Sequence, residues 1–200
     1  MLERSALLRL ALVTAALNVL AASVPVRAQV LLRDIAAPTS QGNGAPTAIV
    51  GLPGVANVVI FAARSEFGVE PWRSDGTTAG TWMLRDIAPG IDSSFAADMF
   101  AAGAFVFFTA QVDGIGRELW RTDGTAAGTI LLGDLNVGTA SSSPTTFVEW
   151  NGELWFRATS SGVGAELWRS DGTLAGTRLA VDVPPSTRGS SRRAPTSSGS

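Results

Sequence analysis

Glu118-Leu119-Trp120-Arg121-Thr122-Asp123-Gly124-Thr125-Ala126-Ala127-Gly128-Thr129 is the middle one of three copies of a twelve-residue phrase, the others running from Glu70 to Thr81 and from Glu166 to Thr177. Trp72, Trp120 and Trp168 are therefore 48 positions apart at each step. A fixed period of this size marks a chain assembled from stacked supersecondary units. The similarity reaches beyond the phrase: Asp86-Ile87, Asp134-Leu135 and Asp182-Val183 superpose at the same step, as do Val106-Phe107-Phe108 and Leu154-Trp155-Phe156, with Val59-Ile60-Phe61 slightly displaced.

The third copy is the plainest to read. Residues 146–150 form a short strand, Asn151-Gly152 a tight turn and residues 153–158 a second strand rich in large apolar side chains. Asn-Gly favours the type I′ geometry that suits strand twist, so these two strands pair as a hairpin. Residues 160–164 make the next turn, 166–171 the third strand, 172–176 another turn and 177–183 the fourth strand. The expected fold is all-β: three tandem four-stranded antiparallel units, like propeller blades, in a partial or open propeller. The units fall at residues 36–87, 88–135 and 136–183. A sandwich built by tandem duplication, or an open β-array, is the alternative architecture.

Strand alternation places Glu118, Trp120 and Thr122 on one face and Leu119, Arg121 and Asp123 on the other. Both faces carry bulky side chains, as a sheet held between two neighbours requires. Trp72, Trp120 and Trp168 read as core residues, each indole contributing about 4 to 6 kcal/mol as an upper bound at about 25 cal/mol per Å². Glu70, Glu118 and Glu166, with Arg73, Arg121 and Arg169, are expected to pair with adjacent strands or blades, their stems lying on apolar surface. In Asp75-Gly76-Thr77, Asp123-Gly124-Thr125 and Asp171-Gly172-Thr173, the Asp accepts hydrogen bonds from turn amides, the Gly takes a positive φ and the Thr hydroxyl fastens the loop. Calcium is the competing reading of these turns, but one carboxylate per loop is thin provision for an ion that takes about six to eight oxygens. No cofactor is expected.

Residues 1–28 read as a secretory signal: Arg4 and Arg9 precede an apolar run over residues 10–22, and Val26-Arg27-Ala28 fits a cleavage site before Gln29. The mature product is then secreted, periplasmic or displayed at the cell surface, with the membrane involved only before cleavage. Residues 184–200 are rich in Ser, Pro, Gly, Thr and Arg and lack large apolar side chains, which is the composition of a disordered tail. Residues 30–35 match the fourth strand of an earlier copy, and self-association through open sheet edges is expected of an array with so few units.

Between residues 29 and 183 there are sixteen acidic residues against nine arginines, a balance that disfavours nucleic acid and other polyanions as partners. The chain of 200 residues contains no Cys, His, Tyr or Lys. That removes disulfides, Ser-His-Asp triads, thiol nucleophiles and ordinary zinc sites.

Glu118-Leu119-Trp120-Arg121-Thr122-Asp123-Gly124-Thr125 and its third-copy counterpart match the ELWxxDGT phrase, and residues 30–183 resemble the repeat family of that name, found in secreted and surface-associated bacterial proteins. The resemblance implies an extracellular array and supplies no catalytic residue. The first copy departs from the phrase at Pro71, which suggests an edge strand. Ser74-Asp75-Gly76-Thr77 also loosely resembles the Asp-box turns of sialidase-like propellers, which fasten hairpins away from the reaction centre; a Tyr nucleophile of sialidase type is missing here.

The function expected from these features is a non-enzymatic binding or scaffolding module that contacts a glycan, an envelope component or a protein. Two alternatives stand beside it. One is a carboxylate-pair glycoside hydrolase or lyase drawing on Asp92, Asp98, Asp113, Glu149 or Glu153, acids outside the repeated phrase. The other is a fragment of a longer repeat protein with no independent function.

Overall fold

A computed structural model describes residues 44–181, which lie within the compact unit Leu32–Ser200; the signal-peptide and tail segments, the Val30–Ile35 match and the start of the first unit lie outside the described residues. The described chain is all-β. Twelve strands run in order: β1 (Thr47–Gly51), β2 (Val59–Ser65), β3 (Gly68–Ser74), β4 (Trp82–Met83), β5 (Ala97–Ala102), β6 (Phe105–Val112), β7 (Gly116–Thr122), β8 (Ile130–Leu131), β9 (Thr145–Trp150), β10 (Glu153–Ser160), β11 (Gly164–Ser170) and β12 (Arg178–Val181).

They form three four-stranded antiparallel meanders, β1-β2-β3-β4, β5-β6-β7-β8 and β9-β10-β11-β12. The first strands of the sheets are neighbours, with β5 lying against β1 on one side and β9 on the other. This is the open, propeller-like stacking that the 48-residue step predicts.

Local chemistry accounts for each hairpin. Asn151 and Gly152 take φ values of 55° and 81°, the left-handed pair that a two-residue turn of this hand requires. Register then follows: Trp120 lies opposite Phe108, Trp72 opposite Phe61 and Trp168 opposite Phe156. The displaced Val59-Ile60-Phe61 thus occupies the same ladder position as its later counterparts.

Each sheet packs its forward face on the rear face of the sheet that follows. The forward row Val50–Ile60–Arg73–Trp82, paired strand to strand across the first sheet, meets Val106 of the second, while Ala62 packs with Phe108, Ala110 and Trp120. The next forward row, Phe100–Phe107–Arg121–Ile130, and Leu119 meet Leu154, Phe156, Ala158 and Trp168. Trp120 and Trp168 are accordingly held between successive sheets. Trp72 is buried with Phe61 and Ala63.

Two strand-level expectations need correction, and one feature was not anticipated. The fourth strands of the first two units are only two residues long, although Leu84 N–H to the Pro71 carbonyl (2.8 Å) and Leu132 N–H to the Leu119 carbonyl (2.9 Å) carry the pairing further across an irregularity. Pro71 lies in β3, an inner strand rather than an edge, and is tolerated there while its carbonyl still accepts a bond. The first strand of every sheet is bulged, with Ala48, Asp98 and Thr146 at φ values of 52°, 54° and 57°, a conformation that non-glycine residues adopt only under local constraint.

Candidate functional site

The residues of the repeated phrase are consumed by structure. In the first turn Asp75 Oδ1 accepts from Thr77 N–H (2.9 Å) and Thr77 Oγ1–H (2.7 Å); Thr77 Oγ1 accepts from Gly80 N–H (2.9 Å), and Thr81 Oγ1–H donates to the Thr77 carbonyl. The Ser74 and Thr81 hydroxyls meet at 2.7 Å beneath it. Asp123-Gly124-Thr125 and Asp171-Gly172-Thr173 repeat the same bonds. The middle glycines have φ values of 85°, 84° and 86°.

A second glycine in each turn has a role that sequence reasoning missed. A Cβ on Gly80, Gly128 or Gly176 would stand 1.9 Å from Oδ1 of the turn's own Asp, so the carboxylate occupies the place of the missing side chain. Hydrogen bonds from Thr77 hold Asp75 below its ordinary pKa, and those from Thr173 do the same for Asp171. For Asp123, burial pushes upward but the bonds from Thr125 prevail and the net shift is downward.

Two of the three phrase arginines bridge sheets. Arg73 Nη1 donates to the Gly124 carbonyl (3.3 Å), and Arg121 Nε donates to the Gly172 carbonyl (3.0 Å), with its guanidinium 4.3 Å from the Phe105 ring centre. The glutamates do something else. Glu70 accepts from the N–H groups of Ile87 (3.0 Å), Ala88 (3.4 Å) and Ser94 (2.9 Å) and from the Ser94 hydroxyl, tying down both ends of the connection to the second sheet. Glu118 holds Leu135 and Ser142 in the same way. Burial raises the pKa of both glutamates against the opposing effect of these bonds. Glu166 is buried at the equivalent position, and its counterpart partners at the repeat step, Val183 and Ser190, lie outside the described residues.

Of the five acids outside the phrase, only two share a recess. Glu149 accepts from Gly152 N–H (2.8 Å), Glu153 pairs with Arg169 (3.1 Å), and Asp98 accepts from the Thr109 hydroxyl (2.9 Å) beside a smaller groove. Asp92 and Asp113 instead line one groove of about 530 Å³ between the first and second sheets, together with Arg64, Gln111, Phe95 and Ile91.

This groove breaks the repeat. Register makes Arg64 equivalent to Gln111 and Gln111 equivalent to Thr159; stepping the remaining residues gives Ala140 for Asp92, Ser143 for Phe95 and Ser161 for Asp113. The left-handed backbone at Phe95 (φ 48°) recurs at Ala45 and Ser143, so that conformation belongs to the architecture, whereas the half-exposed ring does not. Arg64, Phe95 and Gln111 were not singled out in the sequence, although the departure from the 48-residue step would have found them. No group of three or more acidic residues placed to hold a metal ion occurs among the described residues.

No protein-family model and no curated protein sequence matches the chain. Among solved structures it is similar to an endo-1,4-β-xylanase from Bacteroides thetaiotaomicron, at 14% sequence identity and a TM-score of 0.33, over 70% of this chain. The match spans 54% of that chain, about half its length.

Proposed function

We propose that this chain is an extracellular binding module of the ELWxxDGT repeat type that catalyses no reaction, and that it takes a small polar ligand with an apolar face, such as a sugar, in the groove between the first two sheets. The observation that carries this reading is the break in symmetry: the phrase residues are committed to turns and sheet contacts, while Arg64, Asp92, Phe95, Gln111 and Asp113 replace the smaller or uncharged residues of the next interface. A ring at the rim supplies a flat apolar surface, and one guanidinium, one amide and two carboxylates supply directional partners. This reading takes residues 1–28 as an export signal, so that the groove would face the outside of the cell.

A glycan array followed by titration calorimetry tests it. Binding that falls about ten-fold or more in Phe95→Ala and Asp92→Asn supports the groove; unchanged binding in both removes it.

The carboxylate-pair hydrolase is kept as a second reading by one observation, that Asp92 and Asp113 share the groove. Release of reducing ends from a polysaccharide, lost in Asp113→Asn, would favour it over the binding module.

A further inference from the structure

The forward face of the third sheet differs chemically from the two forward faces that pack on a following sheet. Its paired row reads Val148–Trp155–Arg169–Arg178, against Phe100–Phe107–Arg121–Ile130 one sheet earlier. Beside the row, Ala102, Phe105 and Thr109 are replaced by Trp150, Glu153 and Arg157. Trp150 is 62% exposed and stands nearly perpendicular to Trp155 with ring centres 5.5 Å apart. Arg157 and Arg178 are exposed as well.

We propose that this face is a platform for an acidic polysaccharide, a chain of uronate sugars, separate from the groove between the first two sheets and independent of that reading. Arg157, Arg169 and Arg178 outnumber Glu153 and Asp171 here, which leaves the face net positive in a chain of net charge −2. Arg169 and Arg178 are Cα partners on adjacent strands, which run about 4.8 Å apart. Charge laid out in this way suits a ligand that is charged along its length. A guanidinium binds a carboxylate through two parallel N–H bonds, and an exposed indole offers a flat surface to the apolar face of a sugar ring.

A further repeat fits this face poorly. The earlier forward face seats the next turn by laying Phe105 against Gly172 and stacking Arg121 on Phe105. In the third sheet Glu153 stands where Phe105 stood, and it holds Arg169 at 3.1 Å within its own sheet.

Titration calorimetry of the full chain with oligogalacturonates tests the proposal, with neutral cello-oligosaccharides and a single-stranded DNA of similar charge as comparators. The expected result is saturable binding of the oligogalacturonate that weakens as salt is raised. Trp150→Ala is expected to weaken it about ten-fold or more, as is Arg157→Thr combined with Arg178→Ile, the residues of the second sheet at those positions. All three side chains are exposed, so unchanged thermal melting is the control for folding. Phe95→Ala leaves this binding intact, which separates a failure here from a failure of the groove. The proposal is overturned by no binding, by equal binding of either comparator, by full binding in both variants, or by light scattering that shows a dimer which Trp150→Ala dissociates.

Discussion

Arg121, in the second sheet, donates its Nε–H to the carbonyl oxygen of Gly172, fifty-one residues later in the turn of the third sheet. Arg73 reaches Gly124 across the preceding interface, so successive sheets are joined at the same point by the same kind of bond. A guanidinium suits this task because it stays charged, stacks on an aromatic ring and donates in a fixed plane. The carbonyl it meets is presented at the tip of a turn whose Asp, Gly and Thr have already fixed the backbone.

Replacing Arg121 by Met keeps most of the apolar stem and removes the donor. A loss of about 1.5 to 3 kcal/mol is expected from a charged hydrogen bond. Urea unfolding followed by Trp fluorescence measures it, and a loss below about 0.5 kcal/mol would mean the bond contributes nothing beyond packing.

Gly128→Ala is expected to destabilise by about 1 to 3 kcal/mol, the range for forcing extra volume into a filled site. The added methyl collides with the Asp123 carboxylate, and the same collision awaits Gly80→Ala and Gly176→Ala. Combining Gly128→Ala with Asp123→Ala should recover part of the loss, because the two groups compete for one space; simple additivity of the two effects would refute the geometric account.

Trp120 fills the first interface between Ala62, Phe108 and Ala110, and its Nε1–H finds no acceptor among the described residues. Trp120→Ala should therefore cost about 3 to 5 kcal/mol, as large aromatic truncations in a core do. Trp120→Phe should cost much less, since the ring is retained in part and no hydrogen bond is lost. Equal damage from both substitutions would point to a bond on the indole nitrogen.

The pH profile follows from two sets of carboxyl groups. Asp75, Asp123 and Asp171 have folded pKa values below the ordinary 3.8, so the stability they contribute is present above that value and disappears as pH falls through the lowered values. Glu70 and Glu118 are raised above 4.5 by burial, so theirs is fully present below 4.5 and declines as pH rises through the raised values. For these five groups the optimum lies between the two limbs. Thermal melts across pH 3 to 8, at roughly half-unit steps, should show a decline on the alkaline side that Glu70→Gln with Glu118→Gln flattens.

Much of this architecture is legible in the chain because its decisive signals are local. Asn151-Gly152 names its own turn, the three Asp-Gly-Thr segments close on themselves, and alternation from Glu118 to Asp123 assigns Trp120 and Leu119 to opposite interfaces before any contact is known. The role of Glu70 was misread because its partners, Ile87, Ala88 and Ser94, offer mostly backbone N–H groups, which every residue possesses and which leave no mark in the sequence. Pro71 was misplaced for a similar reason: the bond it forgoes belongs to one edge of its peptide, and only the paired strands reveal which edge matters. The bulges at Ala48, Asp98 and Thr146 fall on three unlike residues, so no residue type marks them in the sequence. Of the candidate groove, Asp92 and Asp113 were visible as acids outside the phrase; their meeting with Arg64 and Phe95 depends on how two sheets come together.

The fasteners of each turn span no more than seven residues, from Ser74 to Thr81 in the first copy and likewise in the other two. Closures this short complete in well under a microsecond, far faster than a ribosome adds a residue at about 5 to 20 per second. Every hairpin can therefore be knotted as it emerges, and each newly made blade meets a finished surface left by its predecessor. Assembly becomes a matter of laying course upon course, which spares the nascent polypeptide the slow search for distant partners that β-rich chains ordinarily face.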